Sequence, residues 1–137
     1  MSGCIFCEIV AETSPSERVA ENDRALALMD INPATDGHTL VISKAHAVDI
    51  WDLTPEDGVA VWSLAMRVSE AIRDGLQPDG LTMFQANRSA GWQEVFHFHL
   101  HLLPRWDGDA LIKPWSVSDA LRKGIPDAAT RIRSGLS

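Results

Sequence analysis

From Val95 to Pro104 the chain reads Val-Phe-His-Phe-His-Leu-His-Leu-Leu-Pro, with histidine at every second position across its middle. A period of two belongs to a strand, whose successive side chains point to opposite faces. His97, His99 and His101 are therefore expected on one face, and Phe96, Phe98, Leu100 and Leu102 on the other. The apolar face requires a core behind it. The other face could be the polar side of a half-buried strand, but Thr, Lys, Glu or Ser usually fill that role. Three imidazoles in register point instead to chemistry. One such chemistry is metal ligation, since same-face neighbours about 7 Å apart can reach one ion. The other is nucleophilic and acid–base catalysis, with one imidazole attacking and its neighbours managing charge.

The remaining pattern places that strand in an α+β fold. Cys4 to Ala11 reads as a short helical turn broken by Ser14-Pro15-Ser16. Arg18–Glu21 and Ala25–Asp30 read as strands joined by a tight turn at Asn22-Asp23, two residue types that tolerate positive φ. Asp30 to Gly37 is a loop rich in turn formers, and its first residue is a carboxylate at a strand end, where binding groups often sit. His38–Ser43 is a third strand, with Leu40 and Ile42 on one side and Val41 on the other. Thr54-Pro55-Glu56-Asp57 opens the main helix: an N-cap, a proline suited to the first position and two acids at the positive end of the dipole. Val61, Ala65, Val68 and Ile72 recur at helical spacing and should face the sheet, with Trp62 and Met66 broadening the stripe. Gly75 is expected to end the helix. Leu81–Ala86 is a further strand, and Asn87 to Gln93 a polar loop able to offer N–H groups to an oxyanion. Beyond Pro104 the chain reads as irregular through Pro114. Ser116 or Ser118 then caps a short helix, and Pro126 opens another. Hairpins with one long helix between strands indicate α+β rather than a doubly wound sheet. Neither GxGxxG nor GxxxxGK[ST] occurs, which removes the usual dinucleotide and P-loop readings.

At 137 residues one domain is expected. The net charge of −7 argues against a general nucleic-acid or acidic-membrane binder, though a local phosphate site remains compatible with it. There is no apolar run long enough to span a membrane, and Met1-Ser2-Gly3-Cys4 lacks a signal-peptide pattern, so the cytoplasm is the default compartment. The two cysteines, Cys4 and Cys7, form a lone CxxC. That spacing reads as half a zinc site, a redox pair or two inert thiols. No strand precedes it, as a thioredoxin-like motif would require.

The run from His97 to Leu103 resembles the histidine triad (HIT) motif. Similar segments occur in the same order at Cys4-Ile-Phe-Cys7, Ala27-Leu-Met-Asp30-Ile-Asn-Pro33, Gly37-His-Thr-Leu-Val-Ile-Ser-Lys44-Ala-His46 and Gln93-Glu-Val-Phe-His97. The resemblance covers about residues 4–106 of a single domain spanning 1–137 and leaves 107–137 without assigned packing. It is strongest to the bacterial, zinc-containing Hint-like branch. It implies a five-stranded antiparallel sheet packed by a long helix, in a homodimer with a continuous ten-stranded sheet. It also implies hydrolysis or nucleotidyl transfer on an AMP-like purine nucleotide, of the adenosine phosphoramidate or acyl-nucleotide type. His99 would be the nucleophile, oriented by the backbone carbonyl of His97, and His101 would donate to the phosphate or leaving group. Gln93 and Asn87 match phosphate-contacting positions. Asp30 matches the ribose-binding carboxylate. Ile5, Phe6, Ile9, Leu28, Ile31 and Leu40 fall where the family encloses the base. Cys4, Cys7, His46 and His97 match a structural Zn²⁺ set, with His38 a rival ligand or a packing residue. Two departures stand out: Trp92 occupies a position where a small residue is common, and Glu94 replaces a frequent Ser or Thr. A carboxylate there would disfavour a highly anionic leaving group. The alternatives are a diadenosine polyphosphate hydrolase and a zinc-stabilised nucleotide-binding scaffold.

Overall fold

The computed structural model describes residues 3–113 and 115–136; Pro114, read above as the end of an irregular segment, lies outside the described residues, as do Met1, Ser2 and Ser137. Five strands, β1 (Arg18–Glu21), β2 (Ala25–Met29), β3 (Thr39–Ser43), β4 (Gly80–Gln85) and β5 (His99–Arg105), form one sheet in the order β1-β2-β3-β5-β4. Every neighbouring pair is antiparallel. The helices are α1 (Ile5–Val10), α2 (Pro55–Leu76), α3 (Asp119–Lys123) and α4 (Ile125–Ser134). No described helix is long and apolar enough to cross a membrane.

The sheet has two apolar faces, and they do different work. On one, Ala25, Ala27, Val41, Leu100 and Leu102 meet the buried stripe of α2, Val61, Leu64, Ala65, Val68 and Ile72. The alanines of β2 keep that face low, so the helix can lie close. On the other face, Leu26, Leu28, Leu40 and Ile42 pack with Phe6 and Ile9 of α1. Helix α2 begins as its sequence demands, with the Thr54 hydroxyl accepting from the Asp57 N–H at 3.2 Å. Gly37, at φ +83°, turns the chain into β3; a Cβ there would collide with the Leu76 side chain at the end of α2.

Several sequence expectations are corrected. Helix α2 runs past Gly75 and stops when Gln77 enters the left-handed region at φ 52°, its N–H returning to the Arg73 carbonyl. The Asn22-Asp23 turn uses no positive φ. The Asn22 side chain instead accepts from the N–H groups of Arg24 and Ala25, which supplies the turn's bonding without backbone strain. Trp62 and Met66 are exposed, 53% and 58%, because one helix on one sheet face buries only a narrow stripe. Strand β5 starts at His99 rather than Val95, since the Phe98 N–H turns aside to the Ala47 carbonyl. Phe96 therefore lies outside the strand and is exposed instead of sharing the core face. In the tail, of the two serines expected as caps, it is Ser118 that caps α3, as its hydroxyl accepts the Leu121 N–H.

Candidate active site and metal centre

Sheet register assembles the histidine face. His99 stands opposite Ile42, which stands opposite Leu26; His101 stands opposite Leu40, which stands opposite Leu28. These rows lie on the face away from α2. On its other side His101 is opposite Phe84 of β4, and the two rings stack at 4.0 Å and 9°. Phe6 of α1 closes over the rows with its ring edge-on to both His97 and His99.

The imidazoles of the cleft have defined tautomers. His99 Nδ1 lies 2.6 Å from the His97 carbonyl, and a carbonyl can only accept, so Nδ1 carries the proton. Nε2 of His99 is then a free lone pair. His38, at the head of β3, accepts the Ala34 N–H at its Nδ1, 3.0 Å away. Its proton must therefore sit on Nε2, 2.9 Å from His101 Nδ1. His101 accepts at Nδ1 and so presents an N–H at Nε2. One backbone amide thus sets two tautomers in sequence. The sequence left His38 between ligand and packing; the structure gives it this relay position, and Asp30 Oδ2 lies 3.5 Å from its Nε2.

Burial holds all four of His38, His97, His99 and His101 below the ordinary imidazole range, with neighbouring imidazoles adding to the effect at His38, His97 and His101. For His101 the value falls to about 3. The unfolded chain would titrate these rings near the usual 6.5. Between 6.5 and the folded values the unfolded state binds more protons, so stability rises with pH across that window. Stability is therefore expected to be level above pH 6.5. Below it, stability should fall by up to about 1.4 kcal/mol per pH unit for each such histidine. Urea titrations at pH 7, 6, 5 and 4 measure this, and His101→Gln should flatten the slope.

The histidines open into a cleft of about 470 Å³. It brings together His99, His101, His38 and Asp30 with all six apolar residues matched to the base site: Ile5, Phe6, Ile9, Leu28, Ile31 and Leu40. Trp92, Glu94, Val95 and Phe84 also line it. Asp30 is positioned by its own turn, Oδ1 accepting the Asn32 N–H at 2.8 Å. Gln93 and Asn87 are not among the cleft-lining residues. Gln93 is buried; its Nε2 donates to the carbonyls of Val48 and Val95, and its Oε1 accepts the Arg88 N–H. Asn87 exchanges hydrogen bonds with Gln85 and accepts the Ile50 N–H. Both amides brace the loop before β5, where Arg88 and Trp92 adopt positive φ.

A second cluster lies beside the first. Helix α1 starts with Cys4 as its N-cap, so one helical turn brings Cys4 and Cys7 together. His46 and His97 meet them. Cys4 Sγ is 3.3 Å from His97 Nδ1, Cys7 Sγ is 3.2 Å from His46 Nδ1, and the two Nδ1 atoms are 3.2 Å apart. All four ligand atoms fall within 4.8 Å of one another. Zinc bonds of about 2.0–2.3 Å place tetrahedral N and S ligands about 3.3–3.8 Å apart, so this donor set fits Zn²⁺ in type and spacing. The His97 Nε2–H donates to the Ser43 carbonyl at 2.7 Å, which turns Nδ1 toward the sulfurs. His97 joins the two clusters: its ring belongs to the Cys₂His₂ set and its carbonyl holds His99.

Comparison with known proteins agrees with this geometry. The HIT domain profile matches residues 11–108. Protein hit of Bacillus subtilis is 39% identical over 115 residues, covering 83% of this chain and 79% of that protein. Adenylylsulfatase HINT3 of Arabidopsis thaliana is 33% identical over 120 residues, covering 88% of this chain and 59% of that one. The crystal structure of a Zn-bound histidine triad family protein from Mycobacterium smegmatis superposes with a TM-score of 0.76 at 37% identity, covering 97% of each chain.

Proposed function

Because this chain belongs to the HIT domain family, a family of nucleotide-binding proteins and nucleotide hydrolases, we propose that it hydrolyses or transfers the nucleotidyl group of AMP-like purine nucleotides through a covalent bond on His99. The observation that carries this reading is the His99–His97 contact. A 2.6 Å bond fixes Nδ1 as the donor and leaves Nε2 unprotonated. Burial keeps the ring neutral, so the nucleophile needs no separate base.

In this reading the six apolar residues of the cleft hold the purine, and Asp30 takes the ribose hydroxyls. His99 Nε2 forms a bond to the α-phosphorus while the bond to the leaving group breaks. His101, a neutral ring, donates a hydrogen bond from its Nε2–H to the phosphate or the departing atom. Water then cleaves the nucleotidyl-histidine and restores the ring. Gln93 and Asn87 shape the loop over the phosphate; both amide hydrogens of Gln93 are engaged, whereas Asn87 donates only one of its two, to Gln85. Cys4, Cys7, His46 and His97 would hold a structural Zn²⁺, which supplies a cross-link between α1 and the segment entering β5. A homodimer is supported by the exposed Trp62 and Met66 on α2 and by Leu81 and Phe84 on the edge strand β4. The Arabidopsis relative, by its name an adenylylsulfatase, supports chemistry on an adenylyl group.

The direct test is capture of the intermediate. Protein mixed with an adenosine phosphoramidate and denatured at alkaline pH within milliseconds should carry one adenylyl group, located at His99 by peptide mass spectrometry. Turnover with no adduct, or an adduct on another residue, rules the reading out.

A further inference from the structure

The lining of the cleft carries an unusual charge pattern. Among the described residues that line the cleft there are two carboxylates, Asp30 and Glu94, and no lysine or arginine. Asp30 is engaged by Asn32 and faces His38. Among the described residues no donor or cation is paired with Glu94, which is exposed. Two positions before it Trp92 is 68% exposed and held at φ 75°, a conformation that is strained for a bulky residue. Neighbouring bonds maintain it: Trp92 N–H to the Ser89 carbonyl, Gln93 N–H to the Arg88 carbonyl, and the buried Gln93 amide on both sides of the loop. An aromatic side chain and an unpaired carboxylate, two positions apart in the chain, therefore line the same cleft as His99 and His101.

Phosphoryl-transfer sites that release polyphosphates need cations to receive the departing charge. This wall offers the reverse. An ammonium group here would meet the Glu94 carboxylate and the indole face, while a phosphate, sulfate or carboxylate would meet like charge. We propose that Glu94 and Trp92 form the leaving-group end of the cleft and select nucleoside 5′-phosphate derivatives whose leaving group is an amine carrying a further positive charge. The proposal rests on the nucleotidyl-transfer reading above. His99 Nε2 forms the bond to phosphorus as the P–N bond breaks. The amine leaves with the electron pair and takes up one proton from solvent, and the water that cleaves the intermediate in the second step releases one back to it. The sum is hydrolysis to AMP and a free amine.

The test compares kcat/KM for substrates that share adenosine 5′-phosphate and differ in the leaving group. These are the N-(2-aminoethyl), N-propyl and N-(2-carboxyethyl) phosphoramidates, adenylyl sulfate and diadenosine triphosphate. The aminoethyl compound should exceed the carboxyethyl compound by about tenfold, combining an exposed ion pair with a cation–π contact. Adenylyl sulfate and diadenosine triphosphate should fall below what their better leaving groups would give. The aminoethyl-to-carboxyethyl ratio should collapse toward one in Glu94→Gln, invert in Glu94→Lys, drop by about threefold in Trp92→Leu, and shrink with added NaCl. A ratio near one in the unmodified protein, or a ratio that survives Glu94→Gln, overturns the proposal while leaving the parent reading intact. No turnover of any of the five overturns both.

Discussion

His99→Ala removes the nucleophile, and turnover of an adenosine phosphoramidate is expected to fall by about 10⁴-fold or more while the fold survives. The two halves of that expectation come from different parts of the structure. Chemistry depends on one nitrogen whose partner is fixed by the His97 carbonyl, and no other imidazole in the cleft has that arrangement. His101 and His38 bond each other, and His97 turns its ring to the cysteine cluster. Loss of the ring therefore has no substitute. Stability is less exposed, because the principal core lies on the opposite face of the sheet, between β2, β3, β5 and α2. Alanine at 99 removes one ring from the contact with Phe6, and the circular dichroism melt should move by only a few degrees. Residual activity within tenfold of the unmodified protein would exclude His99 as the nucleophile.

Cys7→Ser should have the second largest effect, and on three observables together. Protein purified without added metal is expected to contain about one zinc per chain, and the variant close to none. Stability should drop by several kcal/mol, since the ion would tie the six-residue helix α1 to the segments around His46 and His97. Activity should fall by about tenfold, in kcat more than in KM, because His97 would lose its ring anchor and with it the placement of the carbonyl that orients His99. Chelation of the unmodified protein should reproduce the stability loss. A variant that melts with the unmodified protein, with chelator making no difference, would show the cluster to be four ordinary side chains.

What the sequence disclosed was what depends on short range. The start of α2 was legible because an N-cap, a first-turn proline and two acids act within four residues. The histidine face was legible because a period of two leaves no choice of side. The extent of β5 was not, because alternation continues upstream of the point where the Phe98 N–H leaves the ladder for Ala47. The exposure of Trp62 and Met66 depends on how many layers cover α2, which no helical stripe encodes. Gly75 looked like a stop by its own propensity, yet the chain bends at Gln77, two residues on. The cysteines and His46 with His97 came from resemblance, since nothing local links residues so far apart. The role of His38 needed a partner 63 positions away and a backbone amide four residues back. The available signal was a lone imidazole heading an apolar strand. Gln93 and Asn87 match phosphate-contacting positions by resemblance, and their bonds to the neighbouring loop segments were not legible because the partners, Val48 and Ile50, lie about 40 positions away.

The bonds from Ala34 through His38 to His101 have one further consequence. A peptide N–H has no lone pair to offer and does not titrate in water, so the direction of that row is built into the covalent chain rather than chosen by the medium. Buffer composition can change how many molecules are folded, but it cannot reverse which end of His101 holds hydrogen. The reagent arrives at the phosphate already facing the right way, and its orientation is inherited from a main-chain atom by way of the His38 ring.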